Sequence, residues 1–320
     1  MAASRRDAVS GDHPAISDAA PGDRKTMRSL QRRLNLAAVV LPFLAFIAAI
    51  ALLWNSAVDL TDLGILAVSY LLIGLGITVG YHRLFTHRSF AAARPVEITL
   101  AILGSMSAQG PVVEWVADHR KHHAHTDREG DPHSPHVGHG TGLRGLVHAH
   151  VGWLFRTQGL ADRRQYARDM REDPAMRLIS RLFPLWVLLG LAIPAAAGFV
   201  LHGYSVDGAL RGLLWGGLVR VFLLHHITWS INSVCHFAGR RRFDLEDHST
   251  NVAWLALPSL GEAWHHNHHA FPRSATHGLG RFEPDPSALV IRGLERLGLA
   301  HEVVQISPER QREKLRRTAA

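Results

Sequence analysis

Four stretches of this chain are long and apolar enough to shape everything else about its fold. Residues 36–54 run without a charge, and 63–80, 182–201 and 210–231 are of similar length. A helix of ~20 apolar residues spans the ~30 Å hydrocarbon of a bilayer, at ~1.5 Å per residue. Only a helix or a closed barrel satisfies its own backbone in that medium. A further apolar stretch, 95–113, is broken by Ser105, Ser107, Gln109 and Pro111, which suits a half-embedded or interfacial helix better than a span. The expected fold is all-α and integral to a membrane, with four transmembrane helices.

Charge gives the orientation. Linkers 55–62 and 202–209 contain no Lys or Arg, whereas residues 1–33, 114–181 and the C-terminal region are rich in both. Cytoplasmic loops retain positive charge, so both termini and the middle segment are expected inside and the two linkers outside. The net charge of +8 comes from basic blocks that flank apolar runs, where an anionic membrane surface holds them. No nucleic-acid partner is expected. Residues 1–33, punctuated by Gly, Pro, Ser and Asp, read as a disordered basic tail. Residues 34–285 form the membrane domain and 286–320 a C-terminal cytoplasmic tail. The single Cys235 excludes a disulfide framework, an iron–sulfur cluster and a zinc ribbon, each of which needs several cysteines.

The chain carries 23 histidines, and they cluster. One box is His82-Arg-Leu-Phe-Thr-His87, directly after the second apolar run. The next is His119-Arg-Lys-His122-His123, and the third is His265-His266-Asn267-His268-His269. On a helix the spacing i, i+3, i+4 of the last two boxes puts three imidazoles on one face, placed to converge on metal. In the first box, i and i+5 lie about 140° apart at ~100° per residue, so these two either serve different metals or straddle a helix end. His236, in Asn232-Ser-Val-Cys-His236, belongs beside them. One ligand per motif position gives His82, His87, His119, His122, His123, His236, His265, His268 and His269. That is too many for one ion and suits two ions of four or five ligands each. Nitrogen ligation suits iron better than calcium or magnesium, which prefer oxygen. Asp118 and Glu262 adjoin boxes and are expected to orient ligand imidazoles, as carboxylates commonly do.

The order HRLFTH, WVADHRKHH, NSVCH, GEAWHHNHHAFP, with Asp131-Pro-His-Ser and His150-Val-Gly-Trp-Leu-Phe between, resembles the membrane fatty-acyl desaturases, especially the stearoyl-CoA (delta-9) type. The resemblance covers roughly residues 35–285. It implies that the nine histidines ligate two iron ions in a cytosolic helical cap, with Asn232 holding one iron through a water. It further implies that Gln109, Trp115, Thr228 and Trp229 line the bend of a substrate tunnel. The implied activity is O₂-dependent insertion of a cis double bond, at delta-9, into a saturated acyl chain carried on CoA or in a lipid, in a bacterial plasma membrane. Ala117 stands where animal acyl-CoA enzymes carry a basic residue near the CoA head group.

The chemistry agrees with that family. A saturated C–H bond offers no acidic proton and no leaving group, whereas one-electron and O₂ chemistry at a metal can attack it. The sequence has no dinucleotide fingerprint, fused haem segment or cysteine cluster, so electrons are expected from a separate ferredoxin-type carrier with its flavoprotein reductase. Two rival readings are a membrane di-iron hydroxylase, which begins with the same hydrogen abstraction, and a histidine-rich metal transporter. The transporter would need ionisable groups at mid-membrane that the first three spans lack.

Overall fold

A computed structural model describes residues 21–54, 58–138 and 142–315. Helix α1 (Pro21–Trp54) starts well before the first apolar run. Residues 21–33, expected as part of a disordered tail, are thus helical, and residues 1–20 lie outside the described residues. Pro21 suits the first helical position, where no backbone N–H is needed, and good helix formers follow it.

Helix α2 (Leu60–Leu75) opens on a capping box. Asp59 accepts from the Thr61 and Asp62 N–H groups, and Asp62 accepts from the Asp59 N–H. The helical path then continues unbroken as a π-helix over Gly76–Thr86. Helix α3 (Arg94–Ser105) crosses this π-wound stretch closely enough that a Cβ on Gly76 would lie 2.2 Å from the Gly104 backbone nitrogen. Helix α4 (Val112–His125) carries the second histidine box. A cap of short helices follows: α5 (Leu143–His150), α6 (Arg163–Tyr166), α7 (Arg168–Glu172) and α8 (Pro174–Arg181).

Helix α9 (Phe183–Leu201) leads into a return path of α10 (Val206–Gly212), a π-wound stretch Leu213–Val219 and α11 (Arg220–Ser233). Among the described residues, three helices are long and apolar enough to cross a membrane: Ser29–Leu52, Leu60–Thr86 and Phe183–Leu201. The fourth expected span is helical throughout but falls outside that set, because Arg211, Arg220, His225 and His226 interrupt its apolar run. Arg220 points inward, fully buried, and donates to the carbonyls of Gly216, Met106 and Gly190. The return path packs tightly on α9: a Cβ on Gly212 would lie 2.2 Å from the Pro194 carbonyl oxygen.

Helix α12 (His265–Ala270) holds the third box, and α13 (Pro286–Arg296) and α14 (Pro308–Glu313) close the chain. The segment from residue 286, expected as a tail, is instead part of the fold. Ile291 is buried in the main core with Val79, Tyr81, Ala101 and Val116. Strand β1 (Ala91–Ala92) pairs antiparallel with β2 (Ala300–His301).

The two linkers meet at one end of the molecule, where His202 Nε2 lies 3.1 Å from an Asp59 carboxylate oxygen. About 20 helical residues, or ~30 Å, separate that end from His82. The other ring nitrogen of His202, Nδ1, lies 3.0 Å from the Gly198 carbonyl. Both nitrogens can donate only in the imidazolium, so the Gly198 carbonyl and Asp59 together raise the His202 pKa above its ordinary value. The stability this adds is fully present below the ordinary histidine pKa and is lost as pH rises through the raised one. His202→Ala is expected to lower the thermal unfolding midpoint by about 1–2 °C at pH 6 and by less at pH 8.5, since the pair is exposed. An equal shift at both pH values would show that the imidazolium contributes nothing.

Candidate metal centre

The nine histidines of the sequence pattern come together in two adjoining groups. His82, His87, His119, His123 and His268 form one, and His122, His236, His265 and His269 form the other; each group could hold a metal ion. In the first, Nε2 atoms of His82 and His268 lie 3.2 Å apart, those of His123 and His268 3.0 Å, and those of His119 and His123 3.2 Å. In the second, His265 Nε2 lies 2.9 Å from His236 Nε2 and 3.0 Å from His269 Nε2.

Two expectations about spacing need correction. His82 and His87 belong to one group, because the stretch between them is wound as a π-helix whose bond runs from the His87 N–H to the His82 carbonyl at 3.1 Å. An i→i+5 winding has more residues per turn than an α-helix and brings i and i+5 nearer to one face. The second and third boxes, by contrast, do not each serve one site. His119 and His123 face the first group while His122 faces the second; His265 and His269 face the second while His268 faces the first. Helices α4 and α12 lie between the two groups and contribute to both.

Carboxylates decide what these rings can do. His82 Nδ1 donates to Glu262, His122 Nδ1 to Asp131 at 3.0 Å, His236 Nδ1 to Asp127 at 2.9 Å and His269 Nδ1 to Asp247 at 3.2 Å. A neutral ring that donates from Nδ1 presents a bare lone pair at Nε2. Against the opposing effect of burial, the hydrogen bond from His236 holds Asp127 well below the usual carboxylate range, and the one from His122 does the same for Asp131. Burial, reinforced by neighbouring imidazoles, pushes His87, His119, His123, His265, His268 and His269 well below the ordinary histidine pKa. In the second group three Nε2 lone pairs converge, and His265 can supply at most one proton between them. His87 Nε2 and His122 Nε2 are buried with no hydrogen-bond partner among the described residues. The donor set fits a cation in each group.

Of the two expected orienting carboxylates, Glu262 reaches a ring, and it also pairs with the fully buried Arg83 at 3.0 Å. Asp118 does not. Its carboxylate accepts from the Gly159 N–H at 2.5 Å and the Ala161 N–H at 3.2 Å, and burial raises its pKa to about 7. It therefore anchors the 159–161 turn. Asp127, Asp131 and Asp247 were missed because they reach their rings from loops, Asp127 across 109 residues to His236. The motif Asp131-Pro-His-Ser was the available hint. His277 joins His82 and Glu262 in a third buried cluster, and His133 joins His122 and Asp131.

A cavity of about 620 Å³ opens beside the first group, and Gln109, Trp115, Thr228, Trp229 and Asn232 all line it together with His82, His119 and His265. Gln109 Nε2 donates to Thr228 Oγ1 at 3.0 Å, and Trp115 stacks on His119 with ring centroids 5.0 Å apart. Trp229 is only 4% exposed and is packed among His150, His225 and His226, so it does not face lipid.

Membrane-length helices, two all-imidazole groups that could each hold a metal ion and an apolar cavity reaching those groups are the features of a membrane protein. The family model for fatty acid desaturases matches residues 60–287, and the chain belongs to the fatty acid desaturase family. It is 44% identical over 87% of its length to the hex-5-enoyl-[acyl-carrier protein] acetylenase of Moorena producens (strain JHB), covering 87% of that protein. It is 38% identical over 72% of its length to the sn-1 stearoyl-lipid 9-desaturase of Anabaena variabilis, covering 79% of it. The delta-9 acyl-lipid desaturase 1 of Arabidopsis thaliana is 36% identical over 87% of this chain and 85% of its own. The family is thus a delta-9 desaturase-like one, and the chain is an oxidoreductase acting on fatty acyl chains.

Asp131→Asn removes the carboxylate that fixes the His122 tautomer while keeping the side-chain shape. Metal affinity at the second group is expected to fall about 10–100-fold, read by competition with a chromogenic chelator. Unchanged affinity would remove Asp131 from the site.

Proposed function

We propose that this protein uses O₂ and two delivered electrons to introduce a cis double bond at delta-9 into a saturated fatty acyl chain, carried as a thioester or within a lipid. Two iron ions would be held by the five-histidine and four-histidine groups, with Asn232 completing one of them through a water. Iron there supplies the one-electron and O₂ chemistry that an unactivated C–H bond requires. The single observation that carries this reading is the cavity: one apolar space is lined both by His82, His119 and His265 and by Trp229 and Thr228.

The chain's own residues position the substrate and exclude water. Trp229 and the Gln109–Thr228 hydrogen bond fix the shape of the cavity next to the metal groups and so select which methylene pair is presented. Trp115, stacked on His119, keeps a ligand ring in place and closes one wall. Glu262 holds the His82 ring through Nδ1 and is itself held by Arg83. The path from Val206 to Ser233 is read as the fourth crossing, with its polar groups turned inward as Arg220 is. The histidine groups, the cap and both termini then lie on the cytoplasmic side of a bacterial plasma membrane, where a separate ferredoxin-type carrier delivers electrons.

The test is expression in a desaturase-deficient host, with double bonds in membrane lipids located by mass spectrometry. The expected product is a delta-9 monounsaturated chain. His268→Ala should abolish it by removing a ligand. Trp229→Ala should keep its metal and give lower turnover, with mixed double-bond positions or some hydroxylated product, since a small misplacement changes which hydrogen is nearest. A Trp229→Ala enzyme of normal rate and unchanged product position would take this residue out of the site. Absence of any unsaturated product from the intact, metal-loaded protein would sink the proposal.

A further inference from the structure

The cap carries a second recess, of about 510 Å³, lined by Arg164, Arg168, Arg171, Glu172 and Arg177. Four arginines thus face one carboxylate, and Arg168 already pairs with that carboxylate at 2.7 Å. The other acids of α7 and α8 are taken from outside the recess. Asp169 is held by Arg120 and Arg88, and Asp173 by Arg94. The recess is therefore strongly cationic, and Arg164, Arg168 and Arg177 are exposed.

Its position is as informative as its charge. Arg177 lies in α8, six residues before Phe183, the first residue of the α9 span. Arg163, the neighbour of Arg164, lines the acyl cavity, as does Phe183 at the foot of α9. So do Leu30 and Leu34 at the foot of the α1 span; these are 55% and 60% exposed. One side of the cavity thus opens between the feet of two membrane-length helices, at the depth where head groups lie. Leu160 and Leu178, both more than half exposed, flank the arginine segment in sequence as interfacial residues do. Arginine clusters directly beside a span bind anionic lipid.

We propose that the arginine recess binds the phosphate of an anionic glycerophospholipid whose acyl chain enters the cavity sideways from the bilayer between α1 and α9. This rests on the desaturase reading and adds to it the form of the substrate, an intact membrane phospholipid. A concave site that begins one residue after Arg163, which lines the acyl cavity, and that lies next to a span fits a lipid head group. An acidic carrier protein would need no such adjacency.

The full-length protein, purified in neutral detergent, is tested by native mass spectrometry with distearoyl phosphatidylglycerol and distearoyl phosphatidylcholine. The anionic lipid should be retained about tenfold better, and the double variant Arg164→Gln/Arg171→Gln should abolish that preference. The metal-loaded protein in nanodiscs of the same anionic lipid should then place the double bond in intact phosphatidylglycerol. Equal retention of the two lipids, or undiminished retention by the variant, overturns the proposal. Product formed only on stearoyl-CoA or on a stearoyl carrier protein does so as well. Intact lipid retention with slower reduction by an electron carrier would assign the recess to that carrier and also overturn it. Anionic-lipid retention that depends on the arginines, without desaturation of any acyl donor, upholds the lipid site and refutes the desaturase reading.

Discussion

Imidazoles that share one buried volume can ligate metal only where a bare ring nitrogen faces it. Four of the nine are fixed in that way, since Asp127, Asp131, Asp247 and Glu262 accept from Nδ1 of His236, His122, His269 and His82. The carboxylates in turn need support, and it comes from far along the chain. Glu262 is held by Arg83, and Arg83 also reaches Asp285 at 3.0 Å. Asp285 accepts from the His277 N–H at 2.7 Å and caps α13 through the Ala288 N–H at 2.9 Å. A line of buried polar contacts therefore runs from the His82 ring to the start of α13. That is why the segment after residue 285 packs into the fold: it completes the support of a ring in the first group.

The second constraint is winding. A span that continued as an α-helix through Gly76–Thr86 would aim His82 and His87 apart. The π-winding turns both toward one group, and the contact of Gly76 with Gly104 lets α3 pack closely enough to hold it. π-wound turns give weaker local geometry than α-helix and are found mostly at functional sites. Here the surrounding core carries the cost, since every residue of the π-wound stretch is buried.

Spans and boxes were legible in the sequence because both are local patterns. Composition over ~20 residues marks a membrane-length helix, and His-x-x-His-His is visible without any fold. The partition of the second and third boxes between two groups was not legible, because it depends on α4 and α12 lying between the groups, and no spacing within a helix reports that. The grouping of His82 with His87 was hidden for a related reason: an α-helical wheel misplaces residues that are π-wound. Asp118 was adjacent to a ligand in sequence but not in space, whereas Asp127 was remote in sequence and 2.9 Å away in space. The helical start of α1 at Pro21 was masked by turn-forming residues that here precede or open a helix.

Charge balance explains why the ligands are imidazoles while the carboxylates stand one layer back. Two divalent cations in a buried place need about four compensating negative charges, since an uncompensated buried ion is prohibitively costly. Direct carboxylate ligands would provide them but would also crowd the metal with oxygen donors. Neutral histidines would leave a bound metal's positive charge largely in place. The four carboxylates bonded to Nδ1 then balance that charge through the rings. Arg83 is a further buried cation beside Glu262. Asp285 gives Arg83 its own carboxylate, so Glu262 can still serve His82. The result is a site whose net charge is settled by residues that touch no metal, next to an apolar cavity that could not tolerate an unbalanced one.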